Sequence, residues 1–223
     1  MNNIEKKLGY TFKDKSLLQN ALTHSSYANE NPSEKNNERL EFLGDSVLGF
    51  ISAEYFYNKM KNLSEGGLSR SRASEVCEKS LAKFARSIDL GKYIRLGKGE
   101  MVSGGADRPS ILSDAFEAVI AAIYLDGGID EAKKFVLRFV SIDDLKEEEF
   151  FDYKTLLQEI VQRNPGERLE YVASAEFGPA HDRTYETQVH LNSNIIATGL
   201  GSSKKKSEQN AAKSALELMG VKV

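Results

Sequence analysis

The spacing of hydrophobic residues changes its period once along this chain, between residues 141 and 152. Upstream, long runs such as 110–125 repeat with the period of a helix. Downstream, one helical run is followed by three alternating, strand-like runs and a last helical run. The pattern predicts a multidomain chain with an all-α domain at 1–141, a linker at 142–151 and a small α+β domain of α-β-β-β-α order at 152–221.

The predicted linker is acidic. Residues 143–149 contain five acids and one lysine, which is typical of a solvated connector. A frayed helix end explains this short stretch equally well. The change of pattern on its two sides favours the linker.

Composition excludes several classes of protein. One cysteine, Cys77, and three histidines among 223 residues exclude a disulfide framework and leave too few ligands for a typical Cys/His zinc site. No run approaches the ~20 apolar residues of a membrane helix, and the first residues contain no apolar signal core. We expect a cytoplasmic protein that makes no membrane contact.

The net charge of −3 does not indicate a nucleic-acid binder. From residue 152 to the end, nine basic residues balance nine acidic ones. Any site for a polyanion must therefore be a local patch, since the field of the whole chain does not supply one.

A segment at 37–48 has helical periodicity and carries three acids on one side. Glu38, Glu41 and Asp45 are spaced three and four residues apart, so they share a narrow sector of the helix. Like charges at this spacing repel each other, and Gly44 costs about 1 kcal/mol relative to alanine. Both costs together indicate a cation or a closely packed neighbour beside this face.

A second helical segment at 111–125 is apolar on nearly all sides, so it should be buried. Asp114 and Glu117 nevertheless lie three residues apart on one face of it. Buried carboxylates stay ionised only when they are paired or bound to a metal. For either helix alone, pairing with Arg or Lys, or exposure to solvent, is an equally good explanation.

Taken together, the two helices favour a metal site. Glu41, Asp45, Asp114 and Glu117 would supply only oxygen ligands, which suit Mg²⁺ first and Mn²⁺ second. Such a cage with open coordination positions is typical of metal-assisted phosphodiester hydrolysis.

No competing nucleophile stands out. Ser25 and Ser26 follow His24, but no acid–base arrangement or glycine elbow surrounds them. We interpret His24 as a structural histidine.

The second domain carries a basic helix start. Its first helix is predicted at 153–163, its strands at 169–177, 184–191 and 195–199, and its last helix at about 203–219. The three lysines at 204–206 lie in the first turn of that last helix, where they oppose the helix dipole. An anion at the helix start would explain them. An ordinary solvated basic turn is the alternative.

The segment 37–48 resembles the signature of the bacterial ribonuclease III family. Further segments resemble that family's blocks in the same order: Ala21-Leu22-Thr23-His24, Gly97-Lys98-Gly99-Glu100, Ser110-Ile111-Leu112-Ser113-Asp114 and Tyr124-Leu125-Asp126-Gly127-Gly128. The resemblance covers essentially the whole chain. It implies a helical endonuclease domain that forms a homodimer with two cutting sites, depends on Mg²⁺ and needs no small-molecule cofactor.

By position, the resemblance also implies roles for individual residues. Catalysis and metal binding fall to Glu41, Asp45, Asp114 and Glu117, with Asp45 either a direct ligand or a residue that orients water. Glu38 and Glu65 correspond to secondary acids near the cleft. Phe42 corresponds to an aromatic residue that fills a pocket of the partner subunit at the dimer interface.

The second domain resembles the double-stranded-RNA-binding domain family, which reads A-form shape over roughly 16 base pairs. The resemblance implies that the first helix contacts one minor groove and that His181 contacts the next. Lysines bridge the phosphates between the grooves. The implied RNA-binding residues are Thr155, Gln158, Glu159, Gln162, His181, Lys204, Lys205 and Lys206.

The expected function is Mg²⁺-dependent cleavage of double-stranded RNA to 5′-phosphate and 3′-hydroxyl products with short 3′ overhangs. Ribosomal RNA precursors and other structured RNAs are the expected substrates. One alternative is a non-catalytic double-stranded-RNA-binding or ribosome-associated protein of the same architecture, which predicts the loss of at least one acid. A hydrolase of small nucleotides is another alternative, and the basic C-terminal domain argues against it.

Overall fold

The chain forms two compact units, residues 1–150 and 151–223, in a computed structural model that describes residues 2–141, 151–179 and 181–221. Residues 142–150, where the linker is predicted, lie outside the described residues. The predicted architecture of an all-α unit followed by an α+β unit is confirmed. The domain limits at 141 and 152 stay predictions.

The first unit consists of helices joined by short loops and two 3₁₀ turns. Its helices are α1 (Asn2–Leu8), α2 (Lys15–Ala21), α3 (Ser25–Glu30), α4 (Glu38–Lys59), α5 (Glu65–Glu75), α6 (Glu78–Ser87), α7 (Lys98–Val102), α8 (Pro109–Gly127) and α9 (Ile129–Val136).

Helix α8 lies at the centre of the first unit, as its apolar sequence predicts. Most of its residues between Ile111 and Ile123 are buried, and α2, α4, α6 and α9 all pack against it. Pro109 occupies its first turn, where the missing N–H costs nothing. The signature segment at 37–48 is the first half of α4, whose buried face includes Leu48 and Ile51.

The second unit is a three-stranded antiparallel sheet with two helices, α10 (Tyr153–Gln162) and α11 (Lys204–Leu218). The strands are β1 (Leu169–Phe177), β2 (Thr184–Leu191) and β3 (Asn194–Gly201), in the order β1-β2-β3. The first two strands have the predicted bounds, and the third is longer than predicted. Asn192 and Ser193 both have positive φ, as a tight hairpin turn between β2 and β3 requires.

The core of the second unit lies between the sheet and the helices. Leu157 of α10, Val189 of β2 and Leu216 of α11 are fully buried in it. Gly199 of β3 allows α11 to come close, because a Cβ atom there would lie 2.1 Å from the backbone nitrogen of Ala211. Met219 follows the last turn of α11 and is 42% exposed, so it lies outside this core.

Candidate functional site

The backbones of α4 and α8 touch at Gly44. A Cβ atom at this position would lie 1.9 Å from the carbonyl oxygen of Glu117, so any other residue would push the helices apart. The glycine that weakens α4 as an isolated helix is therefore the residue that allows the contact. This contact brings the acidic side of α4, with Glu41 and Asp45, alongside Glu117.

Three carboxylates converge at this crossing. Glu41 from α4 and Asp114 and Glu117 from α8 each offer an oxygen, and these oxygens all lie within 4.8 Å of one another. All three side chains are half-buried. We call these three residues the carboxylate cluster.

Burial raises the pKa of every member of the carboxylate cluster, and repulsion by other members adds to the rise at Glu41 and Glu117. Burial raises the pKa of Glu117 to about 8, and the charges of Asp45, Asp114 and Glu41 add to this effect. Burial also raises the pKa of Glu41, with further contributions from Asp114, Glu38 and Asp45. Without a cation, the cluster therefore retains protons near neutral pH.

The pKa of Asp114 is influenced by residues from other helices and loops. Its pKa is raised mainly by burial, while the hydroxyl of Ser113 and the imidazole of His24 act in the opposite direction. Glu78, in the first turn of α6, raises the pKa further. Nothing in the sequence pattern placed Glu78 beside the two acidic helices.

The remaining predicted acids lie around the carboxylate cluster at different distances. Asp45 is exposed and close enough to raise the pKa of Glu41 and Glu117, although it is not one of the three residues whose oxygens converge. Glu38, in the first turn of α4, raises the pKa of Glu41. Glu65 begins α5, and its carboxylate accepts a hydrogen bond from the Ser69 hydroxyl at 2.8 Å.

The carboxylate cluster suits a hard divalent cation. Its donors are all carboxylate oxygens, and Mg²⁺ typically takes one or two protein carboxylates at about 2.1 Å while keeping waters for exchange with phosphate oxygens. A bound cation would also reverse the pKa shifts, since opposite charge favours ionised carboxylates. Glu41, Asp114 and Glu117 are therefore the residues that could hold a metal ion.

His24 has the structural role expected of it. It caps α3, where its Nδ1 accepts a hydrogen bond from the backbone N–H of Ser26 at 3.2 Å.

Three large aromatic side chains are exposed on one side of α4. Phe42 is 78% exposed, Phe50 is 60% exposed and Tyr57 is 72% exposed. At 100° per residue they fall within about 80° of the helix circumference, next to the sector that carries Glu41 and Asp45. We call these three residues the aromatic stripe. Sequence reasoning singled out Phe42 and missed the other two, although their spacing of eight and seven residues was a usable signal.

In the second unit, the predicted RNA-binding residues occupy accessible positions. Thr155, Gln158, Glu159 and Gln162 are spaced so that they share one face of α10, and all but half-buried Gln158 are exposed. His181 is exposed in the loop between β1 and β2. The structure therefore leaves these side chains open to a ligand.

The three lysines lie at the start of α11, as predicted. Lys204, Lys205 and Lys206 are exposed, and the hydroxyl of Ser203 caps the helix by accepting from the backbone N–H of Lys206. The ammonium group of Lys204 lies 3.4 Å from a carboxylate oxygen of Glu176. Free N–H groups and ammonium groups together make this helix start suitable for phosphate.

Known protein families match both units of the chain. Residues 14–143 match the family described as Ribonuclease-III-like, and residues 153–219 match the double-stranded RNA binding motif. The two matches define the class of protein, an endoribonuclease with an attached domain for double-stranded RNA.

Individual relatives extend the match to nearly the whole chain. Ribonuclease 3 of Caldanaerobacter subterraneus subsp. tengcongensis is 51% identical over 98% of this chain and 97% of its own length. Ribonuclease 3 of Clostridium tetani is 48% identical over 99% of this chain and 95% of its own length. A crystal structure of the nuclease domain of the Campylobacter jejuni enzyme superposes with a TM-score of 0.60 at 46% identity, covering 66% of this chain and 97% of that one. The chain belongs to the ribonuclease III family.

No helix among the described residues is long and apolar enough to cross a membrane.

Proposed function

We propose that this chain is a homodimeric, Mg²⁺-dependent endoribonuclease that cuts double-stranded RNA and leaves 5′-phosphate and 3′-hydroxyl ends with short 3′ overhangs. The observation that carries the proposal is the carboxylate cluster, in which three acids from two helices converge within 4.8 Å in a half-buried site. We further propose that its substrates are ribosomal RNA precursors and other structured RNAs, and that it acts in the cytoplasm.

In the proposed site, Glu41, Asp114 and Glu117 hold the metal ion. The bound ion supplies Lewis-acid chemistry, lowering the pKa of water and stabilising charge on the phosphate; Mn²⁺ is its substitute. Asp45, which is exposed at the edge of the carboxylate cluster, binds the ion or orients a water molecule. Glu38 and Glu65 are secondary acids of the same cleft.

The burial of Glu117 matters for this chemistry. A carboxyl with a pKa of about 8 is largely protonated at neutral pH, so a divalent cation must displace its proton. Once ionised in a half-buried site, the carboxylate interacts with the cation more strongly than it would in water.

The second unit supplies most of the affinity for the duplex in this proposal. The polar face of α10, with Thr155, Gln158, Glu159 and Gln162, contacts one minor groove and its 2′-hydroxyls, and His181 contacts the next. Lys204, Lys205 and Lys206 neutralise the phosphates between the grooves. This mode of binding recognises A-form shape with little dependence on base sequence.

The aromatic stripe supports the proposed homodimer. Exposed aromatic groups of this size are typical of protein interfaces, and Phe42 lies beside the catalytic Glu41 on the same helix. A second structure of the Campylobacter jejuni nuclease domain is described as showing structural flexibility in a region involved in dimer formation. It is 49% identical to this chain, covers 61% of this chain and 93% of that one, and superposes with a TM-score of 0.58. We propose that Phe42 fills a pocket of the partner subunit.

Incubation with a perfect RNA duplex, with and without Mg²⁺, tests the proposal. We expect short double-stranded products with 5′-phosphate ends only when Mg²⁺ or Mn²⁺ is present. Binding of the duplex without any cleavage would instead support a non-catalytic RNA-binding protein. Hydrolysis of mononucleotides with no action on the duplex would support a small-nucleotide hydrolase.

A further inference from the structure

The backbone of His24 is held next to the helix that carries Glu41. The N–H of His24 donates to the carbonyl of Arg95 at 3.1 Å. The carbonyl of the preceding residue, Thr23, accepts from the N–H of Asn37 at 2.9 Å, and Asn37 immediately precedes α4. Glu41 follows Asn37 by about one helical turn, so these bonds hold the segment of His24 against the N-terminal end of the helix that carries Glu41.

Hydrogen bonds on one side of the imidazole ring determine which nitrogen carries the proton. The N–H of Gly97 donates to the hydroxyl oxygen of Ser26 at 2.9 Å, and that hydroxyl lies 2.8 Å from Nδ1 of His24. The backbone N–H of Ser26 also points at Nδ1. Because a backbone N–H can only donate, Nδ1 is an acceptor, and the ring hydrogen of the neutral imidazole is on Nε2.

The opposite nitrogen is available to a ligand. Nε2 of His24 has no hydrogen-bond partner among the residues that the structure describes. The ring is half-buried, and in its charged form it would lower the pKa of Asp114, which places it near that carboxylate. An N–H donor is therefore present at the edge of the site without a protein group to receive its hydrogen bond.

A hydrogen-bond donor at this position would offset part of the negative charge around the site. Glu38, Asp45 and Glu78 surround the carboxylate cluster, and each adds negative charge that repels an incoming phosphate. Among the described residues that affect the pKa values of the cluster, His24 and Ser113 are the hydrogen-bond donors. The hydroxyl of Ser113 already has two acceptors within the protein, the carbonyl of Ser110 at 2.8 Å and a carboxylate oxygen of Asp114 at 3.3 Å, which leaves His24.

We propose that His24 is a further catalytic residue, whose Nε2–H donates a hydrogen bond to a non-bridging oxygen of the RNA phosphate at the carboxylate cluster. This inference rests on the proposed function. The bond from Ser26 to Nδ1 fixes the ring, so that the donor is in place before the RNA binds. The cap of α3 and the contact with RNA thus use the two nitrogens of one side chain.

The two roles can be separated by substitution. Asparagine has an oxygen near the position of Nδ1 and is a strong helix cap, so His24→Asn retains the cap and removes the Nε2 donor. Glutamine extends an N–H group towards the position of Nε2 and caps poorly. Alanine at position 24 removes both functions.

The test measures kcat and KM on a perfect duplex with Mg²⁺, duplex affinity in Ca²⁺ and thermal unfolding for the full-length variants. We expect His24→Asn to keep the wild-type melting temperature and Ca²⁺-supported affinity while kcat falls about 100-fold, as for the loss of one transition-state donor. His24→Gln should melt lower than His24→Asn and yet cleave faster.

Wild-type kcat in His24→Asn would overturn the inference, as would a slower kcat in His24→Gln than in His24→Asn. If His24→Asn does not fold, His24→Gln is compared with His24→Ala instead. The inference then requires a higher kcat for His24→Gln than for His24→Ala. A wild-type protein that fails to cut the duplex would refute the proposed function itself, which makes the two failures distinguishable.

Discussion

The carboxylate cluster and the lysines at the start of α11 are both groups of like charges, and they differ in their contact with solvent. Glu41, Asp114 and Glu117 are half-buried, and all have a raised pKa. Lys204, Lys205 and Lys206 are exposed. Repulsion is costly where water is excluded and small where water screens it. The first arrangement suits a bound cation and chemistry, whereas the second suits reversible binding of a polyanion.

This comparison predicts that single changes in the carboxylate cluster abolish catalysis. Replacing Glu117 by Gln removes a ligand of the proposed cation and should lower kcat by about 10³-fold or more, since metal stabilisation of the transition state contributes several kcal/mol. Duplex affinity in Ca²⁺ should remain near the wild-type value, because the lysines are unchanged. Cleavage kinetics and a binding titration measure the two effects, and an equal loss of both would count against a catalytic role.

The packing that creates the carboxylate cluster can be tested with two glycines of the same helix. Gly44→Ala should destabilise the protein by about 1 to 3 kcal/mol and reduce cleavage strongly, because the new Cβ atom would force α4 away from α8. Gly49→Ala is the matched control: a Cβ atom there meets nothing within 4 Å, so it should stabilise the helix by about 1 kcal/mol. Denaturant unfolding separates the two, and equal responses would show that the close contact at Gly44 is not required.

The exposed lysines should each contribute to the affinity for duplex RNA. Replacing Lys204 and Lys205 by Ala should weaken duplex binding on the order of tenfold and reduce the slope of log affinity against log salt by about one for each phosphate that is no longer neutralised. The control is Lys213→Ala on the same helix, whose ammonium group lies 5.5 Å from the ring centre of Tyr153. A double variant with the wild-type slope would mean that Lys204 and Lys205 do not bind phosphate.

The last prediction concerns pH and the metal-free protein. An acid whose pKa is raised by folding destabilises the fold fully above its folded pKa, about 8 for Glu117, and not at all below its ordinary value of 4.5. Glu117→Gln should therefore be more stable than wild type by about 2 kcal/mol at pH 9, less than an isolated group would give because the neighbouring acids titrate with it. The difference should vanish near pH 4.5. A difference in unfolding free energy that does not change with pH would contradict the raised pKa.

The acids of the candidate metal site could be identified from the sequence because their positions are unfavourable in an ordinary helix. Like charges on one face of α4, and two acids in the apolar helix α8, are unfavourable unless something compensates for them. Gly44 drew attention for the same reason, and its contact with the backbone of Glu117 supplies the explanation. The position of Asp45 beside the convergent oxygens depends on the angle at which the helices cross, which no local pattern specifies.

Exposure was harder to predict than periodicity. Phe50 and Phe56 lie on the same helix, yet the first is 60% exposed and the second 1% exposed, because α8, α5 and α9 cover some sides of α4 within the unit and leave others open. The hydrogen bonds around His24 could not be predicted from the sequence either, since they join residues 24, 26 and 97. Contacts between distant segments decide such details, and a single sequence does not display them.

The most direct test of the central claim is anomalous diffraction from crystals of the full-length protein soaked in Mn²⁺. The account predicts a manganese peak within about 2.5 Å of carboxylate oxygens of Glu41, Asp114 and Glu117 in the wild type, and a weaker or absent peak in Glu117→Gln. A wild-type cluster that stays free of manganese at concentrations supporting cleavage, with the ion bound elsewhere, would contradict it.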